Sequence, residues 1–192
     1  MTALCSQWGA DVVCFEPNYR SWPVIKAVYD ANGLKPPLAN FCGFASDKTQ
    51  LEPRNPDKAI YGGRQWELRS DGWPVCVEGE IVEAHGFNQL FEEADGLPQT
   101  TIDDFVERTG IIPTVITMDT EGSEGRILRG AEQTLRAHKP KLWISIHPEF
   151  LIQSYGEYSR DVRNWIINLG YEETLLAWEH EAHVMYFPKG VV

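Results

Sequence analysis

Short apolar runs separated by amphipathic stretches set the rhythm of this chain. Asp11-Val12-Val13-Cys14-Phe15 is an apolar run that stops at Glu16-Pro17, the form of a buried parallel strand. Ser21 then caps a helix with Pro23 in its first turn, Val24, Ile25 and Val28 on one face and Gly33 after its end. Residues 40–45 form a second short strand that opens into Ser46-Asp47. From residue 50 to about 98 the rhythm breaks. Asp71-Gly72 stands between Trp66-Glu67-Leu68 and Pro74-Val75-Cys76-Val77, a hairpin signal. This stretch reads as an irregular or antiparallel insertion, since it is too small to bury a core of its own.

The alternation then resumes. Thr101 caps a helix with Asp104 at the box position, Ile102, Phe105 and Val106 facing inward, and Gly110 ending it. Residues 115–118 form a strand. A single helix over 123–138 carries Ile127, Leu128, Ala131 and Leu135 at helical spacing and stops at Pro140. Leu142-Trp143-Ile144-Ser145-Ile146 is the next strand. Ser159 begins a helix with Val162, Trp165, Ile166 and Leu169 inward and Gly170 as its stop. Residues 173–178 and 183–187 read as two strands about a polar turn, an antiparallel pair at a sheet edge. The pattern predicts one α/β domain over residues 1–192: a largely parallel sheet with helices on both faces. Residues 12–15 and 115–118 are expected to share that sheet.

In such sheets ligands bind beyond the C-terminal strand ends, where loops converge and helix N-termini point inward. Glu16, at the end of an early strand, suits vicinal ribose hydroxyls, because one carboxylate can accept from both; a turn residue before proline is the competing reading. At the next strand end Phe44 flanks a base and Ser46 or Asp47 hydrogen-bonds it, or else Phe44 is core and Asp47 a cap. Asp119 and Glu121 alternate along one extended segment beside Gly122. Capping of the following helix accounts for one of these carboxylates more naturally than for two. His147, held extended before Pro148, is placed to act as a general base near neutral pH, although a lone histidine is more often structural. Glu16, Ser46, Asp119 and His147 are expected to line one cleft.

Composition narrows the function. With 28 acidic and 17 basic residues, the net charge of -11 opposes a nucleic-acid backbone, which needs clustered Lys and Arg. Arg126, Arg129 and Arg136 are interspersed with Glu124 and Glu132 and read as a solvated helix face. No apolar run approaches the ~20 residues of a membrane span, and the N-terminus lacks the order of a signal peptide. Cys5, Cys14, Cys42 and Cys76 have neither Cys-x-x-Cys spacing nor the density of a disulfide scaffold, so free thiols in a reducing cytoplasm are expected. His180-Glu181-Ala182-His183 is one residue short of the His-Glu-x-x-His zinc motif and lies in a hairpin, so it reads as a surface turn and no metal site is expected.

Several motifs occur in order and at characteristic separations: Phe15-Glu16-Pro17-Asn18, the Gly43 to Asp47 strand exit, Thr101-Ile102-Asp103-Asp104-Phe105, Met118-Asp119-Thr120-Glu121-Gly122-Ser123-Glu124 with Ile127-Leu128-Arg129-Gly130-Ala131, and Ile146-His147-Pro148-Glu149. Together they resemble the FkbM family of S-adenosylmethionine-dependent methyltransferases, over residues 9–187. The resemblance implies a Rossmann-like class I methyltransferase sheet with an antiparallel C-terminal pair. It also implies O-methylation of a small-molecule or glycan hydroxyl. Carried over by position, Glu16 with Asn18 would hold the cofactor ribose, and Phe44, Ala45, Ser46 and Asp47 would border the adenine. Asp119 would lie near the methionine moiety, with Glu121 and His147 facing the acceptor. Neither a nucleic acid nor a membrane is expected as a partner, and self-association is left open.

The chain also departs from that family. Ahead of its Phe-Glu-Pro strand the family has a first strand and a Gly-rich loop, and such a loop precedes the ribose acid by ~20 residues. Only fifteen residues stand before Glu16 here, with Gly9 the single glycine among them. Loss of that central strand should leave its neighbours unpaired, and the chain is expected to bind S-adenosylmethionine weakly or not at all. Thr117 stands where the family usually has Lys, and Ser145 where it often has Glu. The alternative function is a truncated or degenerate relative acting as a non-catalytic binding module. A nicotinamide-dependent dehydrogenase fits less well, because it too needs the glycine loop.

Overall fold

Among the described residues three strand pairings are parallel, and the antiparallel strand pairings fall at the C-terminal end. The structure, a computed structural model, describes residues 1–51, 73 and 98–190. The hairpin expected about Asp71-Gly72 lies outside these. The chain divides into two units, Met1–Ala45 with Thr49–Thr100, and Ser46–Lys48 with Thr101–Val192.

In the first unit α1 (Thr2–Gln7) precedes β1 (Val13–Phe15), α2 (Ser21–Ala31) and β2 (Ala39–Phe41), and β1 pairs with β2 in parallel. The expected strand over residues 40–45 breaks at Cys42-Gly43. Its second half, β3 (Phe44–Ala45), pairs instead with β4 (Gln99–Thr100). A Cβ on Gly43 would collide with the Pro98 carbonyl, so only glycine permits the approach that joins the Phe44 N–H to that carbonyl at 2.9 Å.

The core of this unit is Cys14, Trp22, Tyr29, Cys42 and Trp73. Consequently α2 turns a different side inward from the one its aliphatic residues suggest. Val24 and Val28 are each 41% exposed, whereas Trp22 and Tyr29 are buried and Ile25 packs against them. Residues 22, 25 and 29 share one helical face, and the larger aromatic area claims the core. Ser21 does not cap this helix: Arg20 holds the cap position, and the Asn18 side-chain oxygen accepts from its N–H at 3.1 Å. Cys14 and Cys42 are buried and Cys5 is partly so; all three are free thiols. Burial pushes the Cys14 thiol up to about 12, which makes it inert.

The second unit contains α3 (Ile102–Thr109), β5 (Val115–Asp119), α4 (Glu124–Arg129), α5 (Glu132–His138), β6 (Lys141–Ile146), α6 (Pro148–Tyr155), α7 (Ser159–Asn168), β7 (Tyr171–Trp178) and β8 (Ala182–Pro188). The strand order is β5-β6-β8-β7, parallel across β5/β6 and antiparallel thereafter. Leu142, Ile144, Ile146, Val184 and Tyr186 are fully buried on one sheet face, and Val162 and Ile166 of α7 are buried as well. Thr101 caps α3 as expected, its hydroxyl accepting from the Asp104 N–H at 2.9 Å, and Gly110 ends the helix in the left-handed conformation.

Two expectations fail here. Residues 12–15 and 115–118 do not share a sheet: among the described residues β1 has only β2 as a neighbour, and β5 only β6. The single helix over 123–138 is also broken into α4 and α5 at Gly130-Ala131. The break is held by polar groups that apolar spacing does not register. The Gly130 carbonyl accepts from the Asp103 N–H at 2.9 Å, and the Asp103 carboxylate caps α5 through the Gln133 and Thr134 N–H groups at 3.0 and 2.7 Å.

Gly130 lies against the Ser46 carbonyl, which an added Cβ would strike. Gly130→Ala is therefore expected to destabilise the fold by about 2 kcal/mol through overpacking against backbone, read as a lower urea midpoint. An unchanged midpoint would show that the Ser46 strand exit yields freely. No described helix is long and apolar enough to cross a membrane.

Candidate active site

Parallel registry of Asp119 with Ser145 brings β5 and β6 to the same sheet edge, so the segments that follow them leave side by side. After β5 the chain turns through Glu121 (φ 52°) and Gly122 (φ 99°). A Cβ on Gly122 would come within 2.7 Å of the Phe150 Cβ, so glycine is required there. Glu121 holds a left-handed conformation at a cost of about 1–2 kcal/mol, strain of the kind found where a side chain is being aimed. After β6, His147 sits extended at the N-cap of α6, with Pro148 opening the helix.

His147 is buried, and four carboxylates surround its ring. Its Nδ1–H donates to Glu124 Oε1 at 3.0 Å. Its Nε2 lies 2.9 Å from Glu181 Oε2, 3.4 Å from Asp119 Oδ1 and 3.7 Å from Glu121 Oε2. Phe150 stacks on the ring at 5.9 Å. Burial opposes charge on the imidazole, but the hydrogen bond and charge of Glu124, with the charges of Glu121 and Glu181, outweigh it and raise the His147 pKa above 6.5.

A raised folded-state pKa stabilises the fold fully below the ordinary histidine value, and that contribution is lost as pH rises through the folded value. In a chelating buffer, unfolding free energy is therefore expected to fall as pH rises from about 6.5, and to fall less in His147→Asn. Equal slopes in the two proteins would show that His147 carries no such linkage.

Glu124 is the residue the sequence misplaces. It is not on a solvated face: it is completely buried. Its Oε1 accepts from the Gly122 N–H at 3.0 Å and the Thr120 hydroxyl at 3.2 Å as well as from His147, tying the turn after β5 to the imidazole. Glu181, read from the sequence as part of a surface turn, also meets His147, and strand pairing explains it. Ser145 opposes His183 and Ile146 opposes Ala182 in the β6/β8 ladder, so one step further sets His147 beside Glu181. Across the same ladder His183 Nδ1 meets Ser145 Oγ at 2.9 Å.

Asp119, Glu121 and His147 are thus brought together in the second unit. Ser46 and Asp47, in the same unit, meet Arg126, whose Nη2 donates to Asp47 Oδ1 at 2.6 Å and to Ser46 Oγ at 3.2 Å. That guanidinium holds the Asp47 carboxyl below its ordinary range despite some burial. Glu16 and Asn18 belong to the first unit, where the Asn18 N–H donates to Glu16 Oε1 at 2.7 Å and burial raises the Glu16 pKa despite that hydrogen bond. Phe44 and Ala45 form β3 there.

No curated protein matches the chain. A solved structure of the methyltransferase FkbM from Methylobacillus flagellatus KT is similar at 17% identity and a TM-score of 0.46, over 93% of this chain and 43% of that one. The chain therefore spans less than half the length of that protein. The family model for the methyltransferase FkbM domain matches residues 2–173, nearly the whole chain, and the chain belongs to that family.

Proposed function

We propose that this chain is a cytoplasmic S-adenosylmethionine-dependent methyltransferase that methylates a hydroxyl of a small molecule or glycan. The observation that carries the reading is the buried Glu124–His147 pair opening onto Asp119 and Glu121 at adjacent strand ends. This donor set fits a sulfonium cofactor: the Asp119 and Glu121 side chains are 66% and 50% exposed, two carboxylates able to meet a cation. When bound, the cofactor supplies an electrophilic methyl group.

The remaining work falls to the chain's own residues. Methyl transfer to a hydroxyl is an in-line displacement, so positioning of the acceptor is the main requirement. The hydroxyl must also lose its proton, and Nε2 of His147 is the group placed to accept it. Glu124 on Nδ1 fixes the ring and stabilises the imidazolium that results. Neutralisation of Glu121 by a bound sulfonium would remove part of the charge that raises the His147 pKa, and so favour Nε2 as a base.

The competing reading, a non-catalytic binding module, is favoured by Asp47 and Glu16. Each already has a carboxylate oxygen engaged within the protein, by Arg126 and by the Asn18 N–H respectively. Incubation with methyl-labelled S-adenosylmethionine and a panel of sugars, polyols and phenols separates the two. Label transferred to a hydroxyl supports the enzyme. Failure across the panel, in a protein that also fails to bind cofactor, supports the binding module.

A further inference from the structure

We propose that Asp119, His147 and Glu181 form a binding site for a divalent transition-metal ion. One ligand atom from each residue, two carboxylate oxygens and an imidazole nitrogen, lies within 4.8 Å of the others. The closest approaches are 2.9 Å between His147 Nε2 and Glu181 Oε2 and 3.4 Å between Nε2 and Asp119 Oδ1. Two ligands about 2.1 Å from one ion stand about 3.0 Å apart at an octahedral angle and about 3.4 Å apart at a tetrahedral one. Both separations fall within the range that two ligands of one ion can span.

These atoms are not otherwise used. Glu181 Oε2 is buried and makes no hydrogen bond, although Nε2 is only 2.9 Å away. An ordinary imidazolium–carboxylate pair would align its N–H on the oxygen. Here the two atoms are close but not aligned on each other, as expected when both point to a third position. The His147 side chain is 5% exposed, and its other nitrogen is committed to Glu124, so Nε2 is the atom left to bind a ligand. A carboxylate on the far nitrogen of a metal-binding histidine fixes the tautomer and strengthens the ligand. Glu124 is fully buried and the Glu181 side chain is 13% exposed, so two carboxylates with little solvent face one imidazole, and a cation is the group that would balance them.

One imidazole with two carboxylates suits Mn²⁺ or Zn²⁺ rather than Ca²⁺, which takes six to eight oxygens. Three protein ligands leave coordination positions open to water or to an oxygen-bearing ligand. With the ion bound, the Nε2 lone pair is committed to it, so the metal and a proton compete for the same atom. The site does not depend on the methyl-transfer reading, and its test uses no cofactor.

The experiment is titration of Mn²⁺ into the chelator-stripped 192-residue chain, followed by electron paramagnetic resonance of the free ion, with Zn²⁺ as a competitor. One saturable site is expected, displaced by Zn²⁺ and weakened about 100-fold in Asp119→Asn and Glu181→Gln, with Glu132→Gln unchanged. Asp119 is largely exposed, so its variant should fold and keep the test decisive. Absence of binding at millimolar Mn²⁺ and Zn²⁺, or binding that survives both ligand variants, would overturn the site.

Discussion

Replacing Glu124 with alanine is expected to lower folding stability by about 3–5 kcal/mol, the loss that follows removal of one partner from a buried charged pair. The size comes from what is left behind. Glu124 Oε1 collects the Gly122 N–H, the Thr120 hydroxyl and the His147 Nδ1–H, and truncation strands all three around a fully buried position. It also releases the turn that holds Glu121 in its left-handed conformation. Glu124→Gln keeps an acceptor oxygen and should cost much less, about 1–2 kcal/mol. Urea unfolding of the two variants beside Glu132→Ala is the check, since a surface change of that kind is worth within about 0.5 kcal/mol. If Glu124→Ala unfolds like Glu132→Ala, the carboxylate does not hold the site together.

The second large effect is on rate. Asp119→Ala and His147→Asn are expected to lower turnover by about 10²–10⁴-fold, the usual worth of a positioned proton acceptor and its surroundings. Truncation of the two residues to alanine is not equally harmless to the fold. The structure separates them: Asp119 is largely exposed, whereas truncating His147 leaves Glu124 buried without its imidazole partner. Asparagine at 147 can still donate from near the Nδ1 position, which keeps Glu124 satisfied while removing the base. Circular dichroism and a melting curve should therefore show Asp119→Ala and His147→Asn folded, and His147→Ala destabilised. Wild-type rates in the two folded variants would place the chemistry elsewhere.

These contrasts show which features local sequence carried. The α3 cap at Thr101, the stops at Gly110 and Gly170, and the closing pair β7/β8 depend on neighbours along the chain, and all are as expected. So is the pairing of β5 with β6, which brings Asp119 and His147 to one edge. The misplaced features depend on partners distant in sequence. Glu124 looks like a surface residue because glutamate rarely lies buried, and only the convergence of three donors accounts for its position. Glu181 reaches His147 through an antiparallel register that the His180–His183 turn does not encode. The break at Gly130 follows from the Ser46 carbonyl and the Asp103 cap, while the apolar spacing runs straight across it. In α2 the valines at 24 and 28 drew attention from Trp22 and Tyr29, whose larger area decided which side faced the core.

Calorimetric titration of the chain with S-adenosylmethionine tests the proposed activity most directly, because a methyltransferase must hold its methyl donor and a binding module need not. The expected result is weak but saturable one-site binding, with a dissociation constant of about 0.1–1 mM, or roughly 4–5.5 kcal/mol. It should be displaced by S-adenosylhomocysteine and weakened by Asp119→Ala. A flat titration up to millimolar cofactor, from a protein that is folded by circular dichroism, would contradict it.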